Sequence, residues 1–362
     1  MKKSITLCGN GGLLKYVLGK LREDSNIEIT NIVEQIESLP METDRFADAV
    51  ILTVGWREIE NWIAALRKCK VQTIYRVPIY VMQYDLPITS KGNIVFDNIQ
   101  CFSEEEVDLL YLETHVADTC NLKCRGCMHF SNVATESNFP DINVFERDFR
   151  RMKELFHNIC IIRLMGGEPL LNPELGRYIE LVRQIFSTSE IRIVTNGLLI
   201  PYQKKELWKT VRENHVSIDV SPYPPTIEKI DEIKKILDNE GIPYGTISPV
   251  LQKFRKSLTL YPVNNPQKAV NICGSSHCRF LRNGKIAKCP LPLLISDFNE
   301  KCQCKIESKD YYNIYEEKTG VELKKKLDSF ADMCRYCPEE EAFIDWSRTF
   351  NDASIEDWIV YK

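Results

Sequence analysis

Three cysteines fall within eight residues, as Cys120-Asn-Leu-Lys-Cys124-Arg-Gly-Cys127, a C-x3-C-x2-C spacing. Thiolates are soft ligands that select zinc or iron–sulfur clusters. Three on one tight loop can ligate three irons of a [4Fe–4S] cube and leave the fourth iron open. Structural zinc takes four protein ligands, and His129 is the near candidate for a fourth. Downstream lie Cys273, Cys278, Cys289, Cys302, Cys304, Cys334 and Cys337, seven of the chain's 14 cysteines. A chain of 362 residues is too long to need disulfide staples, so clustered thiols point to metal.

Polar groups recur at the ends of apolar runs. Gly166-Gly167-Glu168-Pro169 and Thr195-Asn196-Gly197 each follow such a run, and Ser217, Asp219 and Ser221 lie on or after the next. Glycines expose backbone, and the Glu168 carboxylate suits an ammonium group.

These residues need a frame. Residues 1–105 alternate strand and helix patterns: strands at Ser4–Cys8, Ile27–Val33, Ala47–Val54 and Val71–Val77, with helices after the first and third. That rhythm implies a parallel sheet. Gly9-Asn10-Gly11-Gly12, with Glu34 ending the second strand, invites a dinucleotide reading. The sixth position of the motif is Leu14 rather than glycine, so a Rossmann-like domain whose loop binds no dinucleotide is the alternative. Residues 98–110, with Ser103-Glu104-Glu105-Glu106, read as a polar linker.

A second βα series starts with the strand Tyr111–Ala117, which runs into Cys120. Asn143 is expected to cap a helix with face Phe145, Phe149, Met152 and Phe156. Strands follow at Cys160–Met165, Ile191–Val194, Val216–Val220 and Tyr244–Ile247, and Thr226 is expected to cap Ile227–Leu237. About six βα units suit a barrel or partial barrel, with functional groups at the carboxyl ends of the strands.

The cysteine loop resembles the signature of the radical S-adenosylmethionine (SAM) enzymes. Gly166–Pro169 matches that family's GGEP motif, and Thr195-Asn196 stands where the family places contacts to SAM. The resemblance implies an α/β fold: a partial (β/α)6 barrel over 110–262 behind the Rossmann-like domain of 1–105. It also implies that Cys120, Cys124 and Cys127 hold a [4Fe–4S] cluster whose open iron chelates SAM. Gly166, Gly167, Glu168, Pro169, Thr195, Asn196, Ser217 and Asp219 would then be SAM contacts. One electron splits the sulfonium, and the 5′-deoxyadenosyl radical takes a hydrogen atom from substrate. Many members carry an aromatic residue just before the last cysteine. Here Gly126 occupies that position and Phe130 is the substitute candidate, with a core role as the alternative.

The later cysteines resemble a twitch domain, a short relative of SPASM that holds an auxiliary [4Fe–4S] cluster. Cys273, Gly284, Cys289 and the pair Cys334/Cys337 fit its spacing over 263–340. Asn283-Gly284 predicts a two-residue hairpin turn. That places Cys278 opposite Cys289, so five thiols are offered for four ligand positions, and either Cys273 or Cys278 is surplus. Cys302 and Cys304 are expected to be non-ligands, and Cys8, Cys69, Cys101 and Cys160 ordinary buried thiols. Residues 341–362 read as a packing tail.

The formal charge of −4 argues against a nucleic-acid binder. No run of ~18 apolar residues predicts a membrane span, and no signal peptide is read, which suits a cytoplasmic enzyme. The resemblance implies a small-molecule substrate, sugar- or cyclitol-like, and a flavodoxin- or ferredoxin-type electron donor. Oxidation, with the auxiliary cluster as electron acceptor, is the leading reaction. Epimerisation with a cysteine hydrogen donor, a peptide-modifying maturase and a non-enzymatic iron–sulfur electron carrier are the alternatives. The N-terminal domain is expected to bind a nucleotide-linked substrate or to serve structure.

Overall fold

A computed structural model describes residues 2–40, 46–89, 96–134, 139–245, 249–350 and 352–361. The chain forms two compact units. One comprises Met1–Leu110, Lys153–Ile161 and Arg183–Glu190, the other Tyr111–Met152, Ile162–Val182 and Ile191–Lys362. The first unit's opening stretch ends at Leu110, and residues 263–362 share a unit with Tyr111–Met152.

The first unit contains β1 (Lys3–Gly9), α1 (Gly11–Arg22), β2 (Ile27–Val33), β3 (Ala49–Thr53), α2 (Ile59–Lys68), β4 (Thr73–Arg76), α3 (Ile79–Gln83) and β5 (Gln100–Ser103). The sheet order is β2-β1-β3-β4-β5, parallel except for β5. Strands and helices alternate along this unit as their sequence pattern implies. Gly9 is required by packing: at φ +130°, a Cβ there would sit 2.7 Å from Thr53 Oγ1. The linker expected over 98–110 is corrected in part, because Gln100–Ser103 is strand β5. Gln100 is fully buried and accepts a 2.8 Å bond from Arg76. Arg76 also pairs with Glu190, and both are buried.

Next along the chain come β6 (Leu109–Ala117), α4 (Ile142–Leu155), β7 (Ile159–Gly166), α5 (Leu175–Ile185), β8 (Glu190–Thr195), α6 (Lys205–Glu213) and β9 (Ser217–Val220). The helices α7 (Pro224–Ile227) and α8 (Ile230–Asn239) follow. The strands stand side by side in chain order, with a helix crossing between neighbours. Phe145, Phe149 and Met152 form the buried face of α4, as their spacing predicts. The cap differs: Asp141 Oδ1 accepts from Asn143 N at 2.8 Å and Val144 N at 3.2 Å, so the helix begins two residues earlier, at Ile142. Four βα units are described rather than about six. Of the expected strand Tyr244–Ile247, Tyr244 makes a parallel bridge to Ile218, and Thr246 and Ile247 lie outside the described residues.

The remaining elements are β10 (Lys253–Arg255), α9 (Pro266–Asn271), β11 (Phe280–Arg282), β12 (Lys285–Ala287), α10 (Leu291–Cys302), β13 (Tyr311–Asn313), α11 (Gly320–Asp328) and β14 (Phe343–Asp345). β11 joins the barrel sheet parallel to β6, and β12 and β13 extend it, giving the order β13-β12-β11-β6-β7-β8-β9. β11 and β12 form the expected hairpin, with Asn283 and Gly284 both at positive φ. Among the described residues no helix is long and apolar enough to cross a membrane.

Candidate active site

The cysteine loop leaves β6 at its carboxyl end and meets the ends of β7 and β8. Gly166 and Gly167 make this possible: a Cβ on Gly166 would lie 1.9 Å from Ala117 O, and one on Gly167 2.1 Å from Thr119 O. The backbones are joined there, with Gly167 N donating to Ala117 O (2.8 Å) and Glu168 N to Thr119 O (2.9 Å). A cavity of about 400 Å³ opens between these strand ends. Cys120, Cys124, Cys127, Gly166, Gly167, Thr195 and Asn196 all border it, as do Ser221 and Tyr223.

Glu168 does not border it. Its side chain is fully buried and accepts from Leu170 N (3.0 Å), Thr195 Oγ1 (2.6 Å) and Asn196 N (2.8 Å). Burial raises its pKa to about 7 against the pull of those donors. The carboxylate expected to meet an ammonium is thus occupied in knotting the end of β7 to the end of β8. Pro169 is also buried, in the short turn that Glu168 caps. Thr226 likewise does not cap a helix as expected; it lies within α7, and its hydroxyl donates to Asn196 O at 2.6 Å.

Two further expectations shift. Ser217 opens β9, whereas the cavity lies beyond the other end of that strand. Asp219 pairs with Arg163 (2.8 Å) and Arg192 (3.3 Å) inside the barrel sheet. Phe130 is fully buried against Phe298 and Trp358, which is the core alternative. Gly126 carries no aromatic side chain for a local reason: its φ is +67°, and a Cβ there would meet Asp357 O at 2.9 Å.

That contact belongs to a strap made by residues 343–350 and 352–358. β14 pairs antiparallel with β10, and Cys124 makes an antiparallel bridge to Arg348. Arg348 donates to the Leu122 and Asn121 carbonyls, and Thr349 to that of Lys123. Arg125 forms ion pairs with Asp352 and Asp357. The Trp358 indole donates to Cys127 O at 2.9 Å, and the Trp346 indole to Cys124 Sγ at 3.2 Å. Sequence reasoning reads this segment only as a packing tail. Two tryptophans with Arg348 shortly after the last cysteine pair are the signal it contains.

Burial raises all three loop thiols, Cys120 to about 11. Among the described residues no three His, Cys, Asp or Glu side chains converge on a single ion. His129 turns its Nδ1 to His115 Nε2 at 2.8 Å, and His115 Nδ1 meets Asp118 at 2.9 Å. Burial lowers the pKa of both histidines, His129 to about 3, so both rings are neutral.

The donor set fits a cubane cluster with SAM. Cys120, Cys124 and Cys127 line the cavity together with Gly166, Gly167, Thr195 and Asn196, and Asn132 also borders it. Both amide atoms of Asn132 are buried without a hydrogen-bond partner in the structure. An adenine edge, donor beside acceptor, complements such an amide.

The seven later cysteines divide into four, two and one. Burial raises the thiols of Cys289, Cys334 and Cys337, and Cys273 lies close enough to raise each of them further. Cys302 and Cys304 neighbour each other instead. Cys278 faces elsewhere. β11 pairs with β6 in the register Phe280↔Glu113, which carries Cys278 towards Tyr111. Its thiol lies against Tyr111 and Glu113, with Arg163 near. The expectation that Cys278 stands opposite Cys289 as a ligand is corrected here. Hairpin pairing ends at Phe280↔Ala287, and Pro290 turns the chain into α10, taking Cys289 away.

Comparison with known proteins agrees with this geometry. Residues 114–257 match the Radical SAM superfamily model. The GTP 3′,8-cyclase of Clostridium acetobutylicum is 31% identical over 132 residues, covering 35% of this chain and 41% of that protein. The GTP 3′,8-cyclase of Syntrophomonas wolfei is 30% identical over 159 residues, covering 43% and 45%. The chain spans less than half the length of these relatives. Among solved structures, BtrN in complex with AdoMet and 2-DOIA aligns at a TM-score of 0.41 and 17% identity, covering 65% of this chain and 98% of that one. anSMEcpe with bound AdoMet aligns at 0.32 and 20%, covering 38% and 42%. The cofactors of the matched family are a [4Fe–4S] cluster and SAM, the groups the cavity fits. Residues 114–257 are thus a radical SAM domain.

Proposed function

We propose that this enzyme abstracts a hydrogen atom from a sugar- or cyclitol-like small molecule held inside the barrel sheet and oxidises it. Cys120, Cys124 and Cys127 hold the SAM-binding cluster, and Cys273, Cys289, Cys334 and Cys337 an auxiliary one. When bound, these groups supply a carbon-centred radical that takes a hydrogen atom and a one-electron acceptor. The chain's own residues do the rest. Gly166, Gly167, Thr195 and Asn196 orient SAM at the strand ends. Arg163, Asp219 and Arg192 form a polar lining that suits hydroxyl groups, and Arg163 Nε is buried without a hydrogen-bond partner in the structure. Glu113, fully enclosed and raised to about 7 by burial, is the group to take a hydroxyl proton. The observation that carries the reading is the cavity walled by three loop thiols and the two motif backbones.

A second reading is favoured by Cys278, the thiol left out of the group of four. Its S–H hands a hydrogen atom to the opposite face of the substrate carbon, inverting it. One electron from the reduced auxiliary cluster and one proton from Glu113 then restore the thiol.

One experiment tests both. The reduced holoenzyme, SAM and a panel of sugars and cyclitols are combined in deuterated water. Oxidation predicts 5′-deoxyadenosine and a product two hydrogens lighter, without solvent deuterium, in wild type and Cys278→Ala alike. Inversion predicts deuterium at one carbon, lost in Cys278→Ala. No 5′-deoxyadenosine with both clusters intact overturns the two readings and leaves an electron carrier.

A further inference from the structure

The loop thiols receive hydrogen bonds from different sources. Leu122 N, within the loop, approaches Cys120 Sγ at 3.4 Å. The donor to Cys124 comes from the strap, 222 positions further along the chain: the Trp346 Nε1–H, at 3.2 Å. An indole has one donor and no acceptor, so the direction of this bond is fixed.

The ring is held from several sides. Its plane lies 21° from that of Tyr223, with centroids 6.3 Å apart. Trp346 N donates to Gln252 O at 2.8 Å. The next residue, Ser347, accepts from Arg125 N at 2.9 Å, so strap and loop are bonded on both sides of Cys124. Cys124 itself is 7% exposed, and a hydrogen bond in such a dry setting is electrostatically strong.

We infer that Trp346 is a positioning and tuning residue for the loop's cluster, its indole N–H raising the reduction potential by drawing charge from the Cys124 sulfur. A donor on a ligand sulfur stabilises the reduced cluster, which carries one more negative charge, more than the oxidised one. Such outer partners tune a metal site as surely as its ligands do. The cost of breaking SAM falls on a single electron, so the ease of loading that electron controls how readily the chemistry starts.

The test is potentiometry on the reconstituted full-length protein, following the reduced-cluster EPR signal that responds to added SAM. Trp346→Phe keeps a ring for Tyr223 and removes the donor. A second variant carries 3-benzothienylalanine at position 346, which keeps the bicyclic shape and replaces only the N–H. Both are expected to hold wild-type iron and to be about tenfold harder to reduce, about 59 mV lower for a one-electron couple. An unchanged potential in the benzothienyl variant overturns the inference. If Trp346→Phe alone loses iron, the benzothienyl variant decides.

Discussion

Glu168 shows what a motif does and does not say about a residue. Its spacing after Gly166-Gly167 marks the right strand end, and the carboxylate chemistry suggests an ammonium partner. In the fold, three donors converge on it from Leu170, Thr195 and Asn196. An amide in its place must aim an N–H at one of them. Glu168→Gln should therefore cost about 1–3 kcal/mol, read as a lower urea midpoint with unchanged slope. A midpoint equal to wild type would show that the knot holds nothing. The three loop cysteines, Thr195 and Asn196 were legible because each sits at a strand end within a short, regular rhythm. Trp346 and the free orientation of Cys278 were not, because both depend on partners far away in the chain.

Elements explain the rest of the site. The loop of Cys120–Cys127 has no helix or strand of its own and is held by what pairs with it. The strap supplies that pairing, and Gly126 is where the two run closest. Gly126→Ala places a Cβ 2.9 Å from Asp357 O at a left-handed φ, a conformation that costs about 1–2 kcal/mol for a side chain. It should lift the strap locally, so that reconstituted protein retains less iron through gel filtration. Retention equal to wild type would mean that the loop keeps its cluster unaided. The hairpin of β11 and β12 teaches the complementary lesson. Its turn residues predict the pairing correctly, yet the pairing stops before Cys278 and Cys289 because Pro290 starts α10. Register read from a turn holds only as far as the ladder continues.

At the scale of the molecule, the division between units follows packing rather than chain order. The alternation of strands and helices made the two larger sheets legible, but the first unit also takes in Lys153–Ile161 and Arg183–Glu190. Arg76 and Glu190 are 114 positions apart and enclosed together; no linear pattern announces such a pair. Arg76→Ala strands a buried carboxylate and should destabilise the fold by about 3–5 kcal/mol, measured by urea titration. A loss below ~1 kcal/mol would show that water reaches Glu190. For the same reason, removal of residues 1–105 would take both Arg76 and the Ile79 N–H away from Glu190 and would not yield a bare barrel with intact stability. The strap has a consequence in time as well as in space. During synthesis, Cys124 emerges 222 residues before the indole that will cover it. Until residue 346 has been made, the loop thiols stand as an open nest, and the stretch that carries the indole shuts the door.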